Sequence, residues 1–212
     1  MDFSAQIDNY CERLGPGFWG EPINAITNLA FFMAAIYVFP RVRDDRGAVV
    51  LVVVLMMIGL GSGLFHTLAT GWASLADSLS ILFFILIYLF LATQRVLKRD
   101  RAIALLAVVA FIPYAIVVER VINAMFGSLN GSVAYLPVLI LMVIYGALAK
   151  EAEARSGLWV GAGILGVSLF FRSIDEAVCS SLPFGTHFLW HILNAVVLGW
   201  LILALHRIRP QS

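Results

Sequence analysis

Charge is scarce in this sequence. Asp, Glu, Lys and Arg make up 13% of its 212 residues, against about 25% in soluble domains. So few charges cannot clothe a water-facing surface, and a mean hydropathy of +0.94 excludes an ordinary soluble fold. The net charge is +1, and there is no Lys/Arg cluster with interleaved aromatics of the kind that single-strand binders use. Nucleic acid is therefore excluded as a partner. Residues 1–6 have neither a basic n-region nor an apolar h-region, so no cleavable signal peptide is expected. Cysteine is limited to Cys11 and Cys179, too far apart in sequence to interpret before a topology is fixed. Internal repeats and low-complexity segments are also missing, which leaves a single domain over 1–212, with 1–22 as an N-terminal segment.

What is plentiful is apolar sequence, at 61% of the chain. A spanning helix needs about 20 mostly apolar residues. Seven such runs are present, at about 23–40, 48–67, 74–94, 102–119, 132–149, 157–175 and 185–206. They predict an all-α, seven-transmembrane helix bundle. Eleven of the fourteen Lys and Arg residues fall in alternate breaks and the tail: Arg41, Arg43, Arg46; Arg95, Lys98, Arg99, Arg101; Lys150, Arg155; Arg207, Arg209. The exceptions are Arg13, Arg120 and Arg172. By the positive-inside rule this predicts an extracytoplasmic N-terminus and a cytoplasmic C-terminus.

That orientation sorts the remaining polar residues. His66 closes the second run and Asp77 opens the third. Asp175 closes the sixth, and His187 and His191 open the seventh. Glu12 and Glu21 precede the first. All lie at the predicted extracytoplasmic end. Ionisable groups in apolar spans are costly and mark functional sites. His187 and His191 are spaced i, i+4, which puts them on one helix face in the geometry of a two-histidine metal clamp, and His66 offers a third ligand. Three histidines with an open position holding water form the catalytic zinc pattern. Zinc would bring that water's pKa towards about 7 and polarise a carbonyl. Asp77 then takes the proton, orients the water or holds an imidazole tautomer. Ser62, one turn before His66, hydrogen-bonds the water or an oxyanion.

Plainer roles stand beside these. Ser62 lies among Gly59, Gly61 and Gly63, which suit close helix contact. Asp77 also reads as a hydrated interfacial carboxylate. Trp19, Trp72 and Trp190 read as interface-belt aromatics, Asn24 and Asn28 as interhelical hydrogen bonders, and His206 as interfacial. Asp175 either pairs with Arg172 or supports a zinc histidine from behind. Cys11 and Cys179 both face the oxidising side, where they form a disulfide or remain two buried thiols. The acidic segment Asp8–Glu12 with Glu21 has oxygen ligands of the type calcium prefers, but lacks EF-hand spacing and reads as a solvated acidic lid.

Taken together, Tyr10-Cys11-Glu12, Glu21-Pro22-Ile23-Asn24 with Thr27-Asn28, Gly61-Ser62 through Phe65-His66, Asp77, Ile174-Asp175 with Cys179, and His187 through Trp190-His191 resemble the alkaline ceramidases. That family belongs to a wider superfamily of seven-span hydrolases that includes the progestin and adipoQ receptors. The likeness covers nearly the whole chain, whose compact loops resemble those of bacterial members. It implies an intramembrane zinc amidase that cleaves ceramide to a sphingoid base and a fatty acid, with zinc on His66, His187 and His191. It places Asp77 and Ser62 in the catalytic site and makes Cys11 and Cys179 the family's paired cysteines. It also implies a calcium site, matched here by Asn9, Tyr10, Glu12 and Glu21. Asn9 stands where eukaryotic members carry aspartate, and the stretch before Glu21 is short and rich in glycine and proline.

The first expectation is a zinc-dependent hydrolase of a ceramide-like membrane lipid, sited towards the extracytoplasmic face of a bacterial inner membrane. An ester-lipid hydrolase and a seven-span lipid receptor with structural zinc are the alternatives. A transporter is disfavoured, because no broken helix is apparent at mid-depth.

Overall fold

The computed structural model describes residues 3–209. Helices α1 (Pro22–Thr27), α2 (Leu29–Val42), α3 (Arg46–Leu68), α4 (Gly71–Arg95), α5 (Arg101–Phe126), α6 (Leu136–Leu148), α7 (Ala152–Ile174) and α8 (His187–Arg207) form an all-helical bundle. With α1 and α2 counted as one segment, six are long and apolar enough to cross a membrane. The remaining one, a 3-10 turn running into α6 over Ser132–Leu148, is shorter. Seven helical segments thus stand where seven apolar runs predict them.

The differences lie at the ends and have physical causes. The first segment is broken at Asn28, whose side-chain amide donates to Asn24 O at 2.8 Å instead of extending the helix. The sequence predicts no broken helix at mid-depth; this break lies at the seventh residue of the segment, beside Thr27, whose hydroxyl meets His191. α5 continues past 119 to Phe126, where the Gly127 N–H closes it on Asn123 O. Glu119 and Arg120 are exposed, so the charges that end the apolar run do not end the helix. α7 likewise starts at Ala152, five residues before its apolar run, on polar helix-forming residues.

The bundle is built inside out relative to a soluble domain. α3 and α8 carry the core: Leu51, Leu55, Ile58, Ile202 and Leu205 are buried. α5 buries only Ala104 and Phe111, while Leu106 and Val109 stay exposed. Met33 and Ile36 do the same on α2. Apolar side chains pointing outward all round a bundle are what a lipid solvent permits, and the protein is a membrane protein.

One contact sets the site. At Gly61 a Cβ would meet Ala76 O at 3.0 Å and Asp77 Cα at 3.2 Å. Glycine there lets α3 lie against the α4 backbone, which brings Ser62 and Asp77 together. At the same end the N-terminal segment folds over the bundle. Ile7 N–H donates to Ala69 O at 2.7 Å, and Gly71 N–H to Ala5 O at 3.2 Å. A Cys11–Cys179 disulfide fastens that segment to the stretch after α7. Of the two alternatives for these cysteines, the bridge is the one formed.

Candidate metal centre

His66 lies in the last turn of α3, and His187 and His191 in the first two turns of α8. All three are about 1% exposed. Their ligand atoms lie within 4.8 Å of one another, and among the described residues they form the one group of His, Cys, Asp and Glu that could hold a metal ion. The ring centroids of His66 and His191 are 4.6 Å apart, and those of His187 and His191 4.7 Å.

The hydrogen bonds define what this cluster presents. His66 Nδ1 is 2.6 Å from Glu21 Oε2. A carboxylate only accepts, so Nδ1 carries a proton, and the neutral imidazole with that tautomer presents its Nε2 lone pair to the cluster. His191 Nδ1 is 3.0 Å from Thr27 Oγ1. The Thr27 hydroxyl donates to Ile23 O at 2.8 Å, so it accepts from His191, whose Nε2 also keeps a lone pair. These two Nε2 atoms face each other at 3.0 Å. Two neutral imidazoles in these tautomers would set lone pair against lone pair, so the pair calls for a cation, a proton or a metal ion, between them. Ligands of a tetrahedral zinc with Zn–N of about 2.0 Å sit roughly 3.3 Å apart, so the pair needs little adjustment. His187 stacks on the Tyr10 ring at 3.8 Å, and its buried Nδ1 has no hydrogen-bond partner among the described residues. The donor set fits a metal ion that prefers imidazole.

Ser62 and Asp77 meet at the head of an apolar cavity of about 90 Å³, with the Ser62 side chain close to the Asp77 carboxylate. Asp77 Oδ1 has no hydrogen-bond partner among the described residues. The cavity follows α4 from Asp77 to Ala92, about 22 Å at 1.5 Å per residue. Phe31, Tyr88 and Tyr145 are among its walls. A polar head above a long apolar slot suits one end of an acyl lipid.

Several residues take roles other than those expected. Trp190 is not an interface-belt aromatic. It is buried, lines the cavity and packs on Tyr135 at 4.8 Å between centroids; Trp19 and Trp72 are exposed. Arg172 does not pair with Asp175. Its guanidinium reaches Tyr10 Oη at 3.3 Å and lies 5.1 Å over Trp190. Asp175 instead accepts from the backbone N–H groups of Thr186 at 2.6 Å, His187 at 2.9 Å and Cys11 at 3.1 Å. It supports His187 by fixing the start of α8 rather than through its imidazole. Asn24 and Asn28 bond within the N-terminal segment and α1 rather than across the bundle. His206, at the other end, faces Asp45 at 3.3 Å.

Three contributors were not assigned these roles from sequence. Thr27 sets the His191 tautomer, Glu21 orients His66, and Arg13 is buried against Glu21 at 2.5 Å. Arg13 and Arg172 did carry a signal, as cations at the end opposite the basic loops.

An all-helical bundle of membrane-spanning length and apolarity thus carries a buried, metal-competent histidine triad beside an apolar cavity headed by Ser62 and Asp77. The chain belongs to the Ceramidase family, whose family model matches residues 5–211. It is thus a ceramidase-type hydrolase, of a family that acts on amide bonds. No curated protein matches its sequence.

Proposed function

We propose that the protein is a zinc-dependent intramembrane amidase that cleaves ceramide or a ceramide-like lipid to a sphingoid base and a free fatty acid. The observation that carries this reading is the facing Nε2 pair of His66 and His191, next to a cavity headed by Ser62 and Asp77. His66, His187 and His191 hold the zinc. A zinc ion so held supplies Lewis acidity, polarising a carbonyl and making water acidic enough to react near neutral pH.

The chain's own residues do the rest. Glu21 and Thr27 hold two imidazoles in the tautomer that leaves Nε2 free, the usual role of groups behind a metal ligand. Asp77 accepts a proton from the attacking water and delivers it to the departing amine nitrogen. Ser62, beside it, donates to the oxygen that gains charge as the amide carbon becomes tetrahedral. The apolar slot takes a hydrocarbon chain and keeps the amide at the polar head.

The same reading places the site towards the extracytoplasmic face of a bacterial inner membrane, with the N-terminus outside, the C-terminus inside and 1–212 as one domain. The support is that the basic residues of the loops gather at the end away from the histidines. The test is purification in detergent, elemental analysis, and mass spectrometry of fatty acid released from ceramide. About one zinc per chain with chelator-sensitive release is expected, and His66→Ala, His187→Ala or His191→Ala abolishes it. Release from an ester lipid alone moves the assignment to an esterase. Saturable lipid binding without product moves it to a receptor.

A further inference from the structure

The family likeness implies calcium on Asn9, Tyr10, Glu12 and Glu21, and the structure puts the acceptors of Tyr10, Glu12 and Glu21 to other use. Glu12 Oε1 and Oε2 accept from the backbone N–H groups of Ile23 at 2.6 Å and Asn24 at 2.8 Å. Glu21 Oε1 accepts from Arg13 Nε at 2.5 Å, and Oε2 from His66 Nδ1 at 2.6 Å and Asn24 Nδ2 at 3.1 Å. Tyr10 O accepts from Arg13 N–H at 3.1 Å. Asn9 is exposed. Calcium takes six to eight oxygen ligands, and each of these carboxylate oxygens is already turned to an N–H.

The place of a cation is filled by a side chain. Arg13 is 6% exposed. Its guanidinium spends three nitrogens on three parts of the molecule: Nε on Glu21, one terminal nitrogen on Gly15 O at 3.0 Å, the other on His66 O at 3.1 Å. The glycine-rich loop is wrapped to fit it. A Cβ on Gly20 would lie 2.8 Å from the Arg13 guanidinium and 2.8 Å from Gly15 O. An arginine stays charged when buried, so a divalent ion here would face a fixed positive charge.

We infer that Arg13 is a built-in replacement for a divalent cation: it neutralises Glu21, ties the N-terminal segment to the end of α3, and makes this cap calcium-independent. Arg13 is a positioning residue. It acts on His66 through Glu21 and the His66 carbonyl and touches no reacting atom.

The test is calcium binding to the purified full-length protein in detergent, followed by radioactive calcium retention and by Tm. The wild type should retain no calcium and keep its Tm up to about 1 mM, the weak end of protein calcium sites. Arg13→Ala should lose about 10 °C in Tm and regain part of it with methylguanidinium, which leaves the wild type unchanged. Saturable calcium binding by the wild type that disappears in Glu12→Gln overturns the inference. So does an Arg13→Ala protein with wild-type Tm. If Arg13→Ala does not fold, the wild-type titration decides alone. Neither readout depends on turnover, and calcium retention does not depend on what the histidines hold, so failure of the amidase reading leaves this result interpretable.

Discussion

Asp77, half-buried, differs from the buried acids at this end of the bundle in what it leaves free. Glu12, Glu21 and Asp175 give their oxygens to N–H donors, whereas Asp77 keeps Oδ1 without a partner among the described residues and faces the cavity. An acid or base that moves protons needs that freedom; a structural carboxylate does not. Asp77→Asn removes the proton-accepting oxygen and preserves shape. Zinc content should stay at the wild-type level while kcat falls by about 100- to 10,000-fold, measured by elemental analysis and product release on one sample. Loss of metal together with activity would reassign Asp77 to holding the histidines. The sequence supported this much at single positions: rare residue types in apolar runs singled out the histidines and Asp77. It could not reveal Thr27 as the setter of a tautomer or Trp190 as a cavity wall, because both roles depend on neighbours from other helices.

Helix contacts then decide whether those residues meet. α3 approaches α4 because Gly61 has no side chain, and that approach sets Ser62 beside Asp77. Gly61→Val should push the helices apart at the cavity head. A displacement near 1 Å costs about 100-fold in rate, so kcat should drop far more than Tm, and a rate within threefold of wild type would refute the role. At the other end, Asp45 begins α3 by accepting from Ala48 N–H at 3.2 Å and pairs with Arg95 of α4 at 2.6 Å. Burial pushes the Asp45 carboxyl up, but Arg95, the Ala48 N–H and His206 outweigh it and hold the value at about 2, below the ordinary 3.8. A depressed folded-state value means stabilisation that is complete above the unfolded value and fades as pH falls through the folded one. The Tm gap between wild type and Asp45→Asn should therefore be full at pH 6 and shrink between about pH 4 and pH 2; a gap that widens on acidification would contradict the pairing.

Across the whole molecule, hydropathy foretold the number of helical segments because the hydrocarbon core fixes span length. It misplaced the ends of α5 and α7 because a helix need not stop where lipid does, and it missed the break at Asn28 because side-chain hydrogen bonds leave no hydropathic trace. Polarity along the bundle axis is the remaining global feature. His66, Asp77, Asp175 and His187 gather at one end with the disulfide, while Asp45, Arg95, His206 and Arg209 gather at the other. A disulfide persists in an oxidising compartment, and loop cations are retained on the cytoplasmic side. The proposed orientation, N-terminus outside and C-terminus inside, satisfies both chemistries at once. A fluorescent protein fused after Ser212 in a bacterial host should fluoresce, and an alkaline phosphatase fused there should be inactive, since it needs the oxidising side. An active phosphatase would invert the bundle, put Cys11 and Cys179 among reducing thiols, and leave the bridge that fastens the N-terminal segment over the histidines without a compartment in which to form.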